Sequence, residues 1–322
     1  MIIINAADIL RIVKLKDILR AVEEAFLVFE SGNFSMPERM HADYKGNTLL
    51  LMPSFTDKYF STKLVSIFPE NVKNNIPTLQ GVFVLNDGKS GIPLAIIDAA
   101  KLTALRTGGV GGVSIKYLTD PSVKRVGIIG AGVQGYHQAL FSSIVREIES
   151  ILIYDKNKNN ALRFIERFKK ERPEISLNMA ESPREVIENS EIIITATTSL
   201  KPVVPDDSEL LKEKYFIGIG SYKPTMREYP DSLFKVVDKV FVDTKTAFKE
   251  SGDLREPISK GLIEERDIQT LGAFIKNPYK IGRNSTIFFK SVGMAIFDLF
   301  VGAMIYEYAR EKGGRVDEGK NT

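Results

Sequence analysis

Cysteine is absent from the chain, which removes disulfides, thiolate metal ligands and a cysteine nucleophile together. Histidine is nearly as scarce. His41 and His137 are the only two, too few for a histidine-built site, so no metal is expected. No apolar run reaches the roughly 18–20 residues needed to span a bilayer, so no membrane partner is expected either. Charge of one sign is not in excess: 44 Lys and Arg against 41 Asp and Glu leave +3. The basic residues are scattered rather than blocked, which argues against a nucleic-acid binder. The opening MIIINAADILRIVK has an apolar start, with no basic flank before it and no small-residue cleavage site. It reads as a strand running into a helix rather than as a signal peptide. What is present is 43% hydrophobic and 26% charged residues over 322 positions. That is the profile of a soluble, cytoplasmic globular protein long enough for two cores.

Local patterning divides the chain. From Leu15 to Glu30, apolar residues recur at helical spacing (Ile18, Val22, Ala25, Phe26, Phe29), and Ser31-Gly32-Asn33 supplies a stop. Residues 48–97 are short β-rich runs, TLLLMP, FSTKLVSIF, LQGVFVLND and PLAIID. They predict an antiparallel sheet with a hairpin turn at Asn86-Asp87-Gly88. A helix is predicted over Ala99–Leu118 despite Gly108, Gly109, Gly111 and Gly112. Glycine weakens helices, so four of them imply close packing against another backbone or a ligand. After a linker at Thr119–Ser122 the rhythm changes to KRVGIIG, SILIYD, EIIITAT, YFIGIG and KVFVD, separated by helical stretches. Apolar strands alternating with helices indicate a parallel sheet covered on both faces. Thr286–Arg310 reads as one amphipathic helix crossing back onto the first domain. Its stripe of Met294, Phe297, Phe300, Met304 and Tyr308 reads as a core or dimer-facing surface. The polar stretch from Gly313 to Thr322 reads as frayed.

The chemistry-bearing motif is the G-x-G-x-x-G run Gly130, Ala131, Gly132, Val133, Gln134, Gly135. It follows a β-rich segment and opens a helical one, as in a Rossmann dinucleotide site. Gly130 permits the tight turn, Gly132 lets a pyrophosphate approach the backbone, and Gly135 lets helix and strand pack. Amides at the helix start hold the phosphates. The next strand ends at Asp155, where a carboxylate accepts from the ribose hydroxyls and repels a 2′-phosphate, favouring NAD. Lys156 and Lys158 follow at once and leave NADP open. Thr197, closing EIIITAT, joins the candidate cofactor contacts. In the first domain three cations, Arg39, Lys63 and Arg106, lie beside apolar or glycine-rich segments. Each alone reads more readily as a solvated surface residue; together they can clasp a carboxylate. Strand alternation puts Lys63 on the face opposite Thr62 and Leu64.

The sequence resembles the ornithine cyclodeaminase/mu-crystallin family over nearly its whole length. The matching pieces are Met52-Pro53, TKLVS at Thr62–Ser66, ALRTGG at Ala104–Gly109, GIIGAGVQG at Gly127–Gly135, KESGD at Lys249–Asp253 and FKSVGMAIFD at Phe289–Asp298. The resemblance implies an α/β fold: a Rossmann doubly wound sheet over 119–289, inserted in an α+β substrate and dimerisation domain made of 1–118 and 290–322. It implies a homodimer. It also implies that Arg39, Lys63 and Arg106 bind a substrate carboxylate, and that Thr78, Thr107 and the Lys290-Ser291-Val292 stretch line the nicotinamide. Two departures bear on the reaction. Cyclodeaminases of the family carry an acid two positions before the Met-Pro pair, where this chain has Leu50. Cyclodeaminases and archaeal alanine dehydrogenases carry an aspartate in the loop GIGSYKPTMRE, where this chain has Ser221-Tyr222. The expected reaction is NAD(P)H-dependent reduction of a C=N bond next to a carboxylate, with Lys63 and Arg106 fixing the small amino- or imino-acid substrate. Ser221, Tyr222 or a water would move the remaining proton. Ornithine cyclisation, alanine dehydrogenation and, outside catalysis, small-ligand binding as in mu-crystallin stay open.

Overall fold

The computed structural model describes residues 1–74 and 76–311; the stretch 313–322, expected to be frayed, lies outside them. The chain divides into two compact units, one of Met1–Arg106 with the segment from Met294 onward, the other Thr107–Gly293. The first division falls inside the glycine-rich helix Ala99–Leu118, ahead of the Thr119–Ser122 linker.

In the first unit six strands form one sheet in the order Ile2–Ile4, Pro93–Asp98, Leu79–Asp87, Tyr59–Ile67, Asn47–Phe55, Met40–Tyr44. All neighbours are antiparallel except Ile2–Ile4 and Pro93–Asp98, which run parallel. The turn expected at Asn86-Asp87-Gly88 is a wider loop. Asp87 Oδ1 accepts from the amides of Lys89 and Ser90 and from the Ser90 hydroxyl, and Gly91 takes φ +75° before the chain re-enters at Pro93. A side chain that satisfies local amides this way stabilises a longer turn than the two-residue kind. The helix Leu15–Ser31 buries Ile18, Val22, Ala25 and Phe26 completely and ends at Gly32 in the left-handed conformation. Phe26 meets Phe297 of the helix Ala295–Glu311 edge-on, with ring centroids 4.7 Å apart.

The single helix expected over Thr286–Arg310 is two elements. Ile287–Lys290 is a strand of the second unit, Gly293 turns at φ +80°, and the helix starts only at Ala295. The reason is burial on both faces: Ile287, Phe288 and Phe289 are consecutive, and all are inside. A central parallel strand needs that pattern, and a helix of one apolar stripe does not.

The second unit is an eight-stranded, all-parallel sheet. Its order is Ile268–Thr270, Lys239–Val242, Ile287–Lys290, Tyr215–Gly218, Ile192–Thr195, Arg125–Ile129, Ser150–Tyr154, Ser176–Met179. Strand order reverses between Arg125–Ile129 and Ile192–Thr195, the switch point at which open α/β sheets bind ligands. Of the glycines of Ala99–Leu118, Gly108 and Gly111 serve packing against the helix Val133–Val145. A Cβ on Gly108 would lie 2.5 Å from the Phe141 ring, and one on Gly111 would meet the Gln138 amide. That amide donates from Nε2 to the Thr107 carbonyl at 2.8 Å. Among the described residues no helix is long and apolar enough to cross a membrane.

Candidate active site

At the carboxyl end of Arg125–Ile129 the chain turns through Gly130, whose φ of +110° belongs to glycine. Gly132 caps the helix Val133–Val145 with no side-chain hydrogen bond. A Cβ on Gly135 would sit 2.0 Å from the Gly130 carbonyl oxygen, so helix and loop touch backbone to backbone. A Cβ on Gly132 would meet nothing within 4 Å. This bare backbone leaves the helix-start amides uncovered for an anion. Val133 is exposed, and Gln134 Oε1 is buried without a hydrogen-bond partner among the described residues. Asp155 follows the neighbouring strand. Its Oδ2 accepts from the Ala131 amide at 2.8 Å, and its Oδ1 from the Asn157 amide at 2.8 Å, so the carboxylate is pinned beside the glycine loop. Lys156 is exposed, and the Lys158 ammonium is drawn 2.8 Å from Glu181. These residues fit the pyrophosphate and ribose of a dinucleotide.

The loops at the same sheet edge are tied by carboxylates that the sequence did not single out. Glu228 is fully buried. Its Oε1 accepts from the Thr197 amide (2.7 Å) and hydroxyl (2.8 Å), and its Oε2 from the amides of Gly220 (2.8 Å) and Ser221 (3.1 Å). Burial pushes the Glu228 carboxyl up, against the charge of Lys290 and the Thr197 hydrogen bonds, while nearby Asp253 adds to the rise. Asp253 Oδ1 accepts from the amides of Glu228 and Tyr229. Its other oxygen forms an ion pair with Lys290 Nζ at 3.3 Å, without hydrogen-bond alignment, and both side chains are wholly inside. The Ser221 hydroxyl donates to the Met226 carbonyl (2.7 Å) and meets the Ser251 hydroxyl (2.8 Å). Ser291 donates to Asp243 Oδ2, which also accepts the amides of Val292 and Gly293. The side chains of Ser221, Lys290 and Ser291 are thus engaged inside the unit, whereas Tyr222 is half-buried. Thr107 is buried in its helix.

The first unit gathers the cations. On Tyr59–Ile67 the inward positions are Ser61, Lys63 and Val65, as strand alternation requires. Lys63 Nζ lies 2.8 Å from Asp298 Oδ2, and Arg106 Nε 3.1 Å from Asp298 Oδ1. The three side chains are 2%, 8% and 1% exposed, Asp298 being the last. Burial brings Lys63 down from the usual 10.5 to about 7. Asp298 pulls it back up, while the charges of Arg106 and Arg39 push it further down. Arg39, half-buried, precedes the strand Met40–Tyr44. Beside Lys63 the register sets Met52 directly opposite, and Leu50 opposite Val65. Both Leu50 and Met52 are buried on that inner face, so the cations adjoin an apolar wall. Thr78 is half-buried just ahead of Leu79–Asp87, its carbonyl accepting from the Phe68 amide at 2.8 Å. Asp298 was not among the expected site residues. Its signal was a lone acid in the apolar run AIFDLFVGAM, since an unpaired carboxylate is almost never fully buried.

The model of the ornithine cyclodeaminase/mu-crystallin family matches residues 1–313. The chain belongs to that family. It is 32% identical over 324 residues to a Delta(1)-pyrroline-2-carboxylate reductase of Bacillus cereus, covering 97% of this chain and 98% of the relative. The structure of Thermococcus litoralis Delta(1)-pyrroline-2-carboxylate reductase in complex with NADH and L-proline is similar at TM-score 0.92 and 35% identity, covering 97% and 98% of the two chains. An archaeal alanine dehydrogenase dimer with bound NAD follows at TM-score 0.88 and 30% identity, covering 97% of each. Within this ornithine cyclodeaminase/mu-crystallin chain, the apolar Leu50 replaces the acid that the resemblance assigns to cyclodeaminases. No carboxylate side chain stands at Ser221 or Tyr222 for acid–base work on an amine.

Proposed function

We propose that this protein reduces a small imino acid, a C=N bond adjacent to a carboxylate as in pyrroline-2-carboxylate or piperideine-2-carboxylate, to the amino acid with NADH. The observation that carries the reading is the inward Lys63 and Arg106 next to the apolar wall of Leu50 and Met52. That combination holds an anionic head group and an apolar ring, and its apolar wall offers nothing to a side-chain ammonium. The relatives that act on pyrroline-2-carboxylate support it. Gly130–Gly135 and Asp155 hold the dinucleotide, which when bound supplies a hydride to the imine carbon. Arg106 and Lys63, with Arg39 at the rim, hold the carboxylate, and orientation alone supplies much of the acceleration. An imine that arrives protonated becomes a neutral amine once its carbon is reduced, so no strong acid is required of the protein. The Ser221 proton is directed to Met226, which leaves Tyr222 or water to exchange the remaining one. The enzyme would work in the cytoplasm as a homodimer, with the first unit as substrate and dimerisation domain.

Assays with pyrroline-2-carboxylate, piperideine-2-carboxylate, pyruvate plus ammonia, and ornithine test this. NADH oxidation with the cyclic imines supports the reading. Proline formed from ornithine with no imine-dependent NADH oxidation overturns it.

A further inference from the structure

Two cations turned inward toward the same point repel each other, and each loses hydration. The structure answers with one carboxylate used on both oxygens. Asp298 Oδ2 takes Lys63 and Oδ1 takes Arg106 through Nε, the inner edge of the guanidinium. Among the described residues, Arg106 makes no hydrogen bond through its terminal nitrogens, and Lys63 none beyond Asp298. Asp298 lies in the first turn of Ala295–Glu311, where the helix dipole favours a negative charge. With Lys63 protonated, Lys63, Arg106 and Asp298 together carry one net positive charge, which a single substrate carboxylate neutralises.

We propose that Asp298 is the positioning residue of this site: a buried counter-ion that grips both cations from behind and leaves their outer N–H groups as one receptor for the substrate carboxylate. The proposal rests on the imino-acid reading for its substrate but not for its central claim, that Asp298 holds Lys63 charged and in place. The charged groups facing Lys63 are Asp298 on the helix, Arg106 on the glycine-rich helix and Arg39 ahead of the edge strand. Asp298 is the negative one among them.

The test uses the full-length protein and Asp298→Asn. With the carboxylate gone, Lys63 should lose its proton at lower pH, read directly by NMR of lysine labelled at Nζ. The KM for imino acid should rise about tenfold or more, equivalent to about 1.4 kcal/mol, with NADH affinity unchanged. The alkaline limb of kcat/KM should move to lower pH, and Asp298→Glu should restore it. Should D298N fail to fold, the double variant K63M/D298N decides. Removing cation and anion together keeps the wild-type net charge and should recover folding, because an unpaired buried charge costs far more than a deleted pair. An unmoved Lys63 titration in folded D298N, or a double variant no more stable than D298N, overturns the proposal. A wild-type protein inactive on every imine, with the Lys63 titration still displaced by D298N, overturns the functional reading alone.

Discussion

Burying a lysine beside an arginine sets the lysine's ionisation by its surroundings, and at Lys63 those surroundings oppose one another. Burial leads, taking the group from 10.5 to about 7. The direction fixes the sign of two effects. Between about 7 and 10.5 the unfolded chain holds a proton on this lysine that the native chain has lost. The contribution of Lys63 to stability therefore rises with pH across that window. Carboxylate binding runs the opposite way, because the charged ammonium is what attracts it. The dissociation constant of L-proline, an amino acid of the product class whose carboxylate stays ionised throughout, should rise above pH 7, by up to about tenfold per pH unit. Competition kinetics against the imine at several pH values checks this, and a flat profile would remove Lys63 from the grip. Arg106 presents a planar guanidinium fork suited to clasping a carboxylate. Arg106→Ala should lower kcat/KM for the imino acid by roughly thirtyfold or more, about 2 kcal/mol, the usual loss when one partner of a buried charged hydrogen bond is cut away. NADH binding, followed by fluorescence, should stay near wild type. An unchanged rate would place Arg106 outside the site.

At the scale of elements, the legible features were those with local causes. Alternation along Tyr59–Ile67 turns Lys63 inward, and the spacing of Ile18, Val22, Ala25 and Phe26 makes one buried helix face. The glycine loop declares itself because its constraints are all within six residues. The strand Ile287–Lys290 looks helical in sequence because a short apolar run has no period of its own, and only the neighbours Tyr215–Gly218 and Lys239–Val242 make it a strand. The short strands Ser176–Met179 and Ile268–Thr270 were hidden likewise. Asp298 and Glu228 were illegible as partners because their contacts are remote: Lys63 is 235 positions from Asp298, and Thr197 is 31 from Glu228. The glycine loop also yields a prediction at this scale. Gly135→Ala sets a methyl 2.0 Å from the Gly130 carbonyl oxygen, a backbone atom that cannot rotate away. Helix and loop must separate. Overpacking of this kind costs about 1–3 kcal/mol, and here it also displaces the amides proposed to hold the phosphates. Thermal melting should show a lower Tm, and NADH should stabilise the variant less than it stabilises the parent. Equal stabilisation by NADH in both would mean that the loop does not carry the dinucleotide.

For the molecule as a whole, the first unit leaves an apolar row on its outer face. Cross-strand register aligns Met40, Leu51, Leu64 and Val82 in one row over four strands, on the face opposite Lys63. Met40, Leu64 and Val82 are 55%, 39% and 41% exposed. The edge strand Met40–Tyr44 is exposed at all five positions. A contiguous apolar row of this kind marks a protein contact more often than it marks a free surface, and the partner proposed is a second copy of the chain. In a two-fold interface each residue appears twice, so one substitution places two like charges in the seam. Leu64→Glu points to the outer face, with Lys63 and Val65 on the inner one, and leaves the core intact. Analytical ultracentrifugation should give a dimer mass for the parent and half of it for Leu64→Glu, with the far-ultraviolet circular dichroism of the two superimposable. A parent that sediments as a monomer, or a Leu64→Glu protein that stays dimeric at micromolar concentration, would assign this face to some other contact.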